Sequence, residues 1–287
     1  MGRNLLGLHE MPCLAPKGPC LAPKVGLFGM RSVVYRRGMD PIAFHLGSWP
    51  VYWYGIFAAA GFLSAIFHWN WLGARIGRSM GSGSDLALWI MLGGVVGARV
   101  AFVAANWPQF REAPLSIFAL HEGGLIYYGG LAGGVLAVMV FAHVRREPLW
   151  PLGDFVVSAL PLAHALGRIG CFTRGCCYGA LCAGGGWAIE AHGARRHPVQ
   201  IYEAAANVAL YVVILPIVLR RRERPGLAVA AYLALYGCIR LGMEFLRGDE
   251  RQMLAGLTVA QWISMGLIAT GATIFLARSR PAPVHPS

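Results

Sequence analysis

Three arginines of the sequence fall inside apolar segments, where a charged side chain needs a compensating partner. Arg99, Arg168 and Arg240 each lie in a stretch long enough to cross a bilayer. An arginine at that depth costs at least about 2.5–3.5 kcal/mol on insertion scales. Structural ion pairs are one explanation, and Arg240 and Glu244 have the i,i+4 spacing of such a pair. An anion site is the other, because guanidinium donors match phosphate oxygens. The acidic candidates in the apolar segments are Asp154, Glu203 and Glu244.

A cysteine-rich segment follows Arg168 directly. It contains Cys171, Cys176 and Cys177, and Cys182 follows closely. Thiolates are ligands for soft metal ions, although adjacent cysteines depart from the usual C-x-x-C spacing of zinc sites. A disulfide is favoured over a metal if the segment lies outside the cytoplasm. Packing of small apolar thiols is the third interpretation, and the sequence leaves the pairing open.

The elements that position these residues are predicted to be membrane helices. Of the 287 residues 56% are apolar and 13% are charged, against about 25% charged in an average soluble domain. The mean hydropathy of +0.54 also excludes a disordered chain and an ordinary soluble enzyme. We predict an all-α, polytopic membrane protein with a small extracytoplasmic loop region. Its seven transmembrane helices are predicted near residues 50–72, 85–106, 124–143, 152–172, 198–219, 226–246 and 257–277.

The basic residues indicate the orientation of the chain. There are 25 Lys and Arg residues against 13 acids, and they lie between the apolar spans rather than on one soluble face, which argues against nucleic acid as a partner. Ten arginines follow spans 1, 3, 5 and 7, whereas six follow spans 2, 4 and 6. The positive-inside rule therefore predicts a cytoplasmic C-terminus.

Three regions are expected along the chain: a basic extension at 1–38, the membrane domain at 39–280 and a short tail at 281–287. The extension carries the hexapeptide Pro-Cys-Leu-Ala-Pro-Lys twice, and Met39 opens a more ordinary beginning. We interpret residues 1–38 as disordered or as the product of a misplaced start codon. Frequent glycines inside the spans are interpreted as close helix packing.

A series of short motifs runs through the spans. The motifs are Trp53-Tyr54-Gly55, Gly97-Ala98-Arg99, Gly123-Gly124-Leu125, Gly129-Gly130-Leu131, Gly167-Arg168-Ile169-Gly170, the stretch from His197 to Ala204, Tyr236-Gly237, Arg240, Glu244-Phe245 and Arg247. In their order and spacing, rather than in any one of them, they resemble the bacterial phosphatidylglycerol–prolipoprotein diacylglyceryl transferases. The resemblance covers about residues 40–277.

The resemblance implies an enzyme of lipoprotein biosynthesis in the bacterial inner membrane, with its active site facing the outer leaflet. It would move the diacylglyceryl group of phosphatidylglycerol to the lipobox cysteine in the signal peptide of a prolipoprotein, without a cofactor. Arg168 and Arg240 would face the phosphate, where positive charge stabilises the departing phosphate ester most strongly in a dry site. The residues expected to line or brace the substrate cavity are Tyr54, Arg99, Tyr202, Glu203, Glu244 and Arg247.

The chain departs from the family pattern at the position of a candidate base. Members usually carry a histidine before the Gly-Gly of span 3, where this chain has Tyr128, and a phenol is a poorer base at neutral pH. Polar family positions after Arg168 are here occupied by Cys171, Arg174 and Cys176. We assign catalytic roles to Arg168, Arg240, Tyr128 and His164, with His164 as the candidate base. In the alternative, the acceptor thiol ionises unaided beside the arginines while Tyr128 orients the phosphate.

The cysteines and glycines also allow functions other than that of the transferase. A diverged member of the family would use another lipid or thiol acceptor, and a cysteine-centred membrane protein would bind metal or handle disulfides. A transporter would explain the glycines through broken helices, but no internal repeat is visible in the seven spans.

Overall fold

The computed structural model describes residues 41–79, 81–120, 123–182, 188–220, 223–251 and 253–279. The predicted extension at 1–38 and the tail at 281–287 lie outside the described residues.

Within these residues, seven helical spans are long and apolar enough to cross a membrane, which confirms the predicted fold class. Each begins and ends a few residues from its predicted position. In chain order the helices are α1 (Trp53–Ile76), α2 (Ser82–Ala105), α3 (Trp107–Glu112), α4 (Tyr127–Arg145), α5 (Leu149–Val157), α6 (Leu160–Arg174), α7 (Val199–Arg220), α8 (Leu227–Glu244) and α9 (Val259–Ser279). A short 3-10 helix follows α3 at Pro114–Phe118.

Three short antiparallel hairpins lie at the end of the bundle where α1 begins: one precedes α1, one connects α6 to α7 and one connects α8 to α9. They are β1 (Ile42–Leu46) with β2 (Trp49–Tyr52), β3 (Ile189–Ala191) with β4 (Ala194–Arg196), and β5 (Met253–Leu254) with β6 (Leu257–Thr258). Helices α4, α7 and α9 also begin at this end, and α2, α6 and α8 end there, because consecutive spans run in opposite directions.

The fourth span is broken rather than continuous, which the hydropathy pattern did not predict. Helix α5 ends at Val157 and α6 begins at Leu160, with Pro161 in its first turn. Proline has no backbone N–H to donate, so the start of a helix is its natural place. The hydroxyl of the fully buried Ser158 donates to the carbonyl oxygen of Phe155 at 2.6 Å.

The main buried core of the bundle is formed by residues of α1, α2, α4, α5, α7 and α8. Leu72, Leu86, Leu152 and Ile214 are fully buried in it. Large apolar side chains such as Phe67 lie on the outside of the bundle, where a bilayer rather than water would surround them.

Helices α2 and α4 approach each other along glycines. A Cβ atom on Gly133 would collide with the carbonyl oxygen of Gly93, and one on Gly97 with that of Gly129. Small residues at such crossings allow backbones to come close in lipid. These contacts confirm the packing interpretation for the glycines of this helix pair.

We expect Gly133→Ala to destabilise the protein by about 1–3 kcal/mol, because the added methyl group forces α2 and α4 apart. The neighbouring Gly134 is the matched control, since its Cβ would meet nothing closer than Ile90 Cγ2 at 3.8 Å. Thermal unfolding of both variants in the same detergent measures the difference. Equal melting temperatures for Gly133→Ala and Gly134→Ala would contradict the close approach.

Candidate functional site

Two of the predicted arginines share one buried carboxylate. Glu203, in the first turns of α7, has a side chain only 4% exposed, and its Oε2 pairs with Nε of Arg168 from α6. Its Oε1 lies 3.0 Å from Nη1 of Arg240 on α8. Nη2 of Arg240 lies 3.0 Å from Oε2 of Glu244, one turn further along α8. The predicted ion-pair partners Glu203 and Glu244 are therefore confirmed.

Glu244 continues this network toward the next helix. Its Oε1 lies 3.0 Å from Nη1 of Arg251 and accepts a hydrogen bond of 2.7 Å from Oγ1 of Thr258. Nearby, Nε of Arg247 donates to Oδ1 of Asp249 at 2.9 Å, and a second nitrogen of Arg247 bonds to the same carboxylate. Although burial disfavours its charged form, the bond and charge of Asp249 raise the pKa of Arg247, which stays ionised.

A cavity of about 190 Å³ opens on this network. Its lining residues are Tyr128, Arg240, Glu244, Arg247, Arg251, Thr258, Val259 and Ala260. The linked ion pairs contain four guanidinium groups and three carboxylates, so one positive charge is in excess. Among the described residues, the two Nη atoms of Arg168 have no hydrogen-bond partner. Such unused donors beside excess positive charge suit an anion.

Backbone hydrogen bonds between three loops position Arg247. The loop after α6 lies between the loop before α7 and the loop after α8. Ala180 N donates to Leu246 O at 2.8 Å, and Gly248 N donates to Tyr178 O at 3.1 Å. On the other side His197 N donates to Ala180 O at 3.1 Å. This arrangement, which we call the loop junction (residues 178–182, 195–197 and 246–248), fixes Arg247 against the cysteine-rich segment.

We expect Gly179→Ala to lower activity by about 10²-fold, because a misplacement of the site by about 1 Å has that effect. A Cβ on Gly179 would collide with the carbonyl oxygen of His197 and lie 2.8 Å from Val199 Cγ2. Gly242→Ala on α8 is the control, since nothing lies within 4 Å of its Cβ position. Initial transfer rates of the two variants at equal protein concentration test this, and similar rates would show that the junction does not hold the site.

Arg99 lies apart from this network and is held by backbone oxygens. Its side chain donates to five carbonyl groups, and the shortest bonds are 2.6 Å to Ser116 O, 2.7 Å to Gly123 O and 2.8 Å to Ile117 O. Ile126 N donates to Ala98 O at 3.1 Å beside it. The dipoles of these carbonyl groups thus compensate the charge of Arg99, in place of the acid or the phosphate that the sequence suggests as its partner. In this place Arg99 braces the segment that leads into α4.

The first turn of α4 places two tyrosines at the site. Tyr128 lines the cavity, and its ring centroid lies 5.5 Å from that of Tyr127. Tyr127 lies within electrostatic range of Arg168, Arg240 and Glu203. Of these two tyrosines, only Tyr128 was predicted from the sequence to belong to the site. Successive helical residues point about 100° apart, and only the packing of α4 shows that both positions reach the network.

His164 lies one turn below Arg168 on α6 and is not among the residues that line the cavity. Its Nδ1 lies 3.5 Å from the hydroxyl oxygen of Tyr232, and its ring centroid lies 5.2 Å from that of Tyr236. Tyr236 is in turn within electrostatic range of Arg168 and Glu203. The structure therefore connects His164 to the arginine network through aromatic side chains rather than by direct contact.

The other candidates surround the network or lie far from it. Tyr54, at the start of α1, has its ring centroid 5.8 Å from the guanidinium of Arg174. The ring of Tyr202, next to Glu203 on α7, lies 6.3 Å from that of His197. Asp154 was wrong as an arginine partner. Its carboxylate accepts hydrogen bonds from Gly226 N and Val229 N at the start of α8, at the opposite end of the bundle.

The cysteine-rich segment brings three thiols together. The Sγ atoms of Cys171, Cys176 and Cys177 all lie within 4.8 Å of one another. The five cysteines in the described part of the chain, including Cys182 and Cys238, are free thiols. Hydrogen bonds from Cys171 and Cys176 lower the pKa of the Cys177 thiol despite its burial, and Arg247 and Arg168 act in the same direction.

Sequence reasoning missed Arg251 and Thr258, which both contact Glu244. Arg251 follows Glu244 by seven residues, but α8 ends at Glu244, so helical spacing could not relate them. Thr258 precedes α9 and reaches the carboxylate only because α8 packs against α9. A polar residue at the start of an apolar span was the one available signal.

Comparison with known proteins identifies the family of the chain. The family described as prolipoprotein diacylglyceryl transferase matches residues 41–277. A curated phosphatidylglycerol–prolipoprotein diacylglyceryl transferase of Aeromonas salmonicida is 33% identical over 257 residues, which cover 85% of this chain and 92% of the relative. Relatives of the same description from Xanthomonas oryzae pv. oryzae and Bordetella parapertussis are 33% and 31% identical, over 88% and 85% of this chain and 95% and 97% of their own lengths. The chain therefore belongs to the prolipoprotein diacylglyceryl transferase family.

Proposed function

We propose that the protein transfers the diacylglyceryl group of phosphatidylglycerol to the lipobox cysteine thiol of prolipoproteins. The observation that carries this proposal is the pair of Arg168 and Arg240 joined by Glu203, with the Nη atoms of Arg168 unpaired among the described residues. The relatives are named for the same two substrates, which supports this proposal. The bilayer that surrounds the helices supplies the lipid directly.

The proposed reaction is a displacement at carbon. The acceptor thiol loses its proton, either to His164 or directly to solvent, and its sulfur attacks the glycerol carbon that bears the phosphate. A sulfur–carbon bond forms as the carbon–oxygen bond breaks, and glycerol phosphate leaves with the electron pair. Negative charge grows on the phosphate oxygens during this step, so preorganised guanidinium donors stabilise the transition state more than the ground state.

We assign substrate-binding roles around this centre. Arg247 and Glu244 line the cavity, and Glu203 fixes both phosphate-facing arginines. Tyr54 and Tyr202 lie at the same end of the bundle, where the headgroup and the signal peptide would enter. Arg99 has an indirect role, because its hydrogen bonds hold the segment that leads into α4 and thereby the tyrosines in the first turn of α4.

The proposed location is the bacterial inner membrane, with the site at the outer leaflet. The site lies at the end of the bundle where α1 begins. The loops that follow spans 1, 3, 5 and 7 carry most of the loop arginines and lie at the other end. The positive-inside rule places those loops and the C-terminus in the cytoplasm. A prolipoprotein signal peptide would then reach the site from the bilayer.

Complementation tests the proposal directly. A bacterial strain depleted of its own transferase, supplied with this chain and a reporter lipoprotein, should regain growth. Mass analysis of the reporter should show one diacylglyceryl group on its lipobox cysteine. An unmodified reporter in cells that contain the folded, membrane-inserted protein would contradict the proposed reaction.

The identity of the base can be tested by pH–rate profiles of the wild type, His164→Ala and Tyr128→Phe. If His164 accepts the thiol proton, its loss should remove the acidic limb of the profile and lower the rate by about 10²–10⁴-fold. Tyr128→Phe should keep the shape of the profile and change the rate less. An unchanged profile in His164→Ala would eliminate His164 as the base and leave the thiol to ionise beside the arginines.

A further inference from the structure

The three clustered thiols have the spacing of a metal site. Tetrahedral zinc with zinc–sulfur bonds of about 2.3 Å places its sulfur ligands about 3.8 Å apart. The Sγ atoms of Cys171, Cys176 and Cys177 all lie within 4.8 Å of one another, so an ion can be held by small rotations of the side chains. Three thiolates leave a fourth tetrahedral position open, as in catalytic rather than structural zinc sites.

The backbone conformation of residues 175–177 helps to bring the three thiols together. Gly175 and Cys177 both adopt positive φ values, of 72° and 61°, and a non-glycine residue in that region is held there by its surroundings. Two contacts from other elements fix the segment. Gln200 Nε2 on α7 donates to Cys176 O at 2.7 Å, and Nε2 of His192 lies 2.8 Å from Gly175 O. These bonds hold the backbone from Gly175 to Cys176, next to Cys177.

Positive charge lies close to the cluster, because Cys177 is within electrostatic range of Arg168 and Arg247. Three thiolates and a divalent ion together carry one negative charge, which the neighbouring guanidinium groups offset. A soft, nitrogen- or sulfur-preferring ion fits this donor set, whereas magnesium and calcium prefer oxygen.

We propose that Cys171, Cys176 and Cys177 bind one zinc ion whose open position takes the acceptor thiol during transfer. The second part of this statement rests on the proposed function. The bound thiol releases its proton to solvent and remains on the ion as a thiolate at neutral pH. Its sulfur then forms the bond to the glycerol carbon as the carbon–oxygen bond to the phosphate breaks. No oxidation or reduction takes place. This site would supply the thiol activation for which Tyr128 is poorly suited.

Metal analysis of the full-length protein, purified in detergent without chelator, tests the binding site. We expect about one zinc ion per chain in the wild type, and its loss in Cys171→Ser, Cys176→Ser and Cys177→Ser. Cys238→Ser is the matched control, because Cys238 is exposed on α8 and should leave the zinc content unchanged. Wild-type protein without zinc after incubation with zinc salt, zinc retained in the three variants, or a disulfide found by thiol titration would each overturn the site.

Cobalt spectroscopy keeps the test valid if the serine variants fail to fold. Wild-type protein loaded with Co²⁺ should show the near-ultraviolet charge-transfer band of cobalt–thiolate bonds. A lipobox peptide should strengthen that band, and the same peptide with serine in place of cysteine should not. Equal spectra with both peptides would overturn the role of the open position. Zinc binding in a protein that fails complementation would refute the transferase and keep the metal site. Full transfer by zinc-free protein would keep the transferase and refute the role of the ion in transfer.

Discussion

Arg168→Ala should lower diacylglyceryl transfer by at least about 10²–10³-fold while the protein stays folded and inserted. That range is typical for the loss of one preorganised donor at a centre of developing charge. The Nη atoms of Arg168 have no partner among the described residues, so they are free for a phosphate. Arg168→Lys should recover little activity, because an ammonium group retains the charge but cannot make a bidentate contact.

Transfer assays with purified protein and a lipobox peptide measure this effect. Arg145→Ala is the control, since Arg145 forms an exposed ion pair with Asp85 at the opposite end of the bundle. Arg240→Ala should lose activity as well, but it also leaves Glu203 and Glu244 short of a partner and should destabilise the fold. Near-normal rates in both Arg168→Ala and Arg240→Ala would refute the phosphate site.

Glu203→Gln should destabilise the protein by about 3–5 kcal/mol, the usual range for removing one partner of a buried ion pair. The substitution leaves Arg168 and Arg240 facing each other without the carboxylate between them. We expect a lower melting temperature in detergent and a smaller yield of folded protein. Glu190→Gln is the control, because Glu190 is exposed on β3.

A double variant separates charge compensation from shape at this position. Arg168→Gln combined with Glu203→Gln removes one charge of each sign, so it should recover part of the stability that Glu203→Gln loses, without recovering transfer. Such non-additivity is expected for residues in direct contact. A Glu203→Gln protein within about 0.5 kcal/mol of the wild type, the usual effect of a surface substitution, would show that the carboxylate does not hold the arginines.

The membrane spans were predictable because hydropathy alone reports them, and the pairing of Arg240 with Glu244 was predictable because both lie on one helix. The contact of Glu203 with Arg168 needed the packing of α6 against α7, for which the sequence offered only matching charges. Hydropathy could not show the break between Val157 and Leu160, since both halves of that span are apolar.

The remaining differences concern backbone groups as partners. Five carbonyl oxygens compensate Arg99, and two N–H groups at the start of α8 compensate Asp154. Every residue carries a carbonyl group and all but proline carry an N–H group, so composition and spacing do not reveal where these groups converge. The orientation of the three thiols has the same origin, because the left-handed backbone at Cys177 follows from the surrounding loops.

The shared carboxylate of Glu203 has a consequence for how the chain is made. Arg168 leaves the ribosome before Glu203, and Arg240 comes later still. The fourth span would therefore enter the insertion machinery with an uncompensated cation, and its counter-ion arrives with the following helix. We expect these two helices to leave the translocon as a pair, with the sixth span joining them afterwards. The site that handles the substrate would then also set the order in which the bundle assembles.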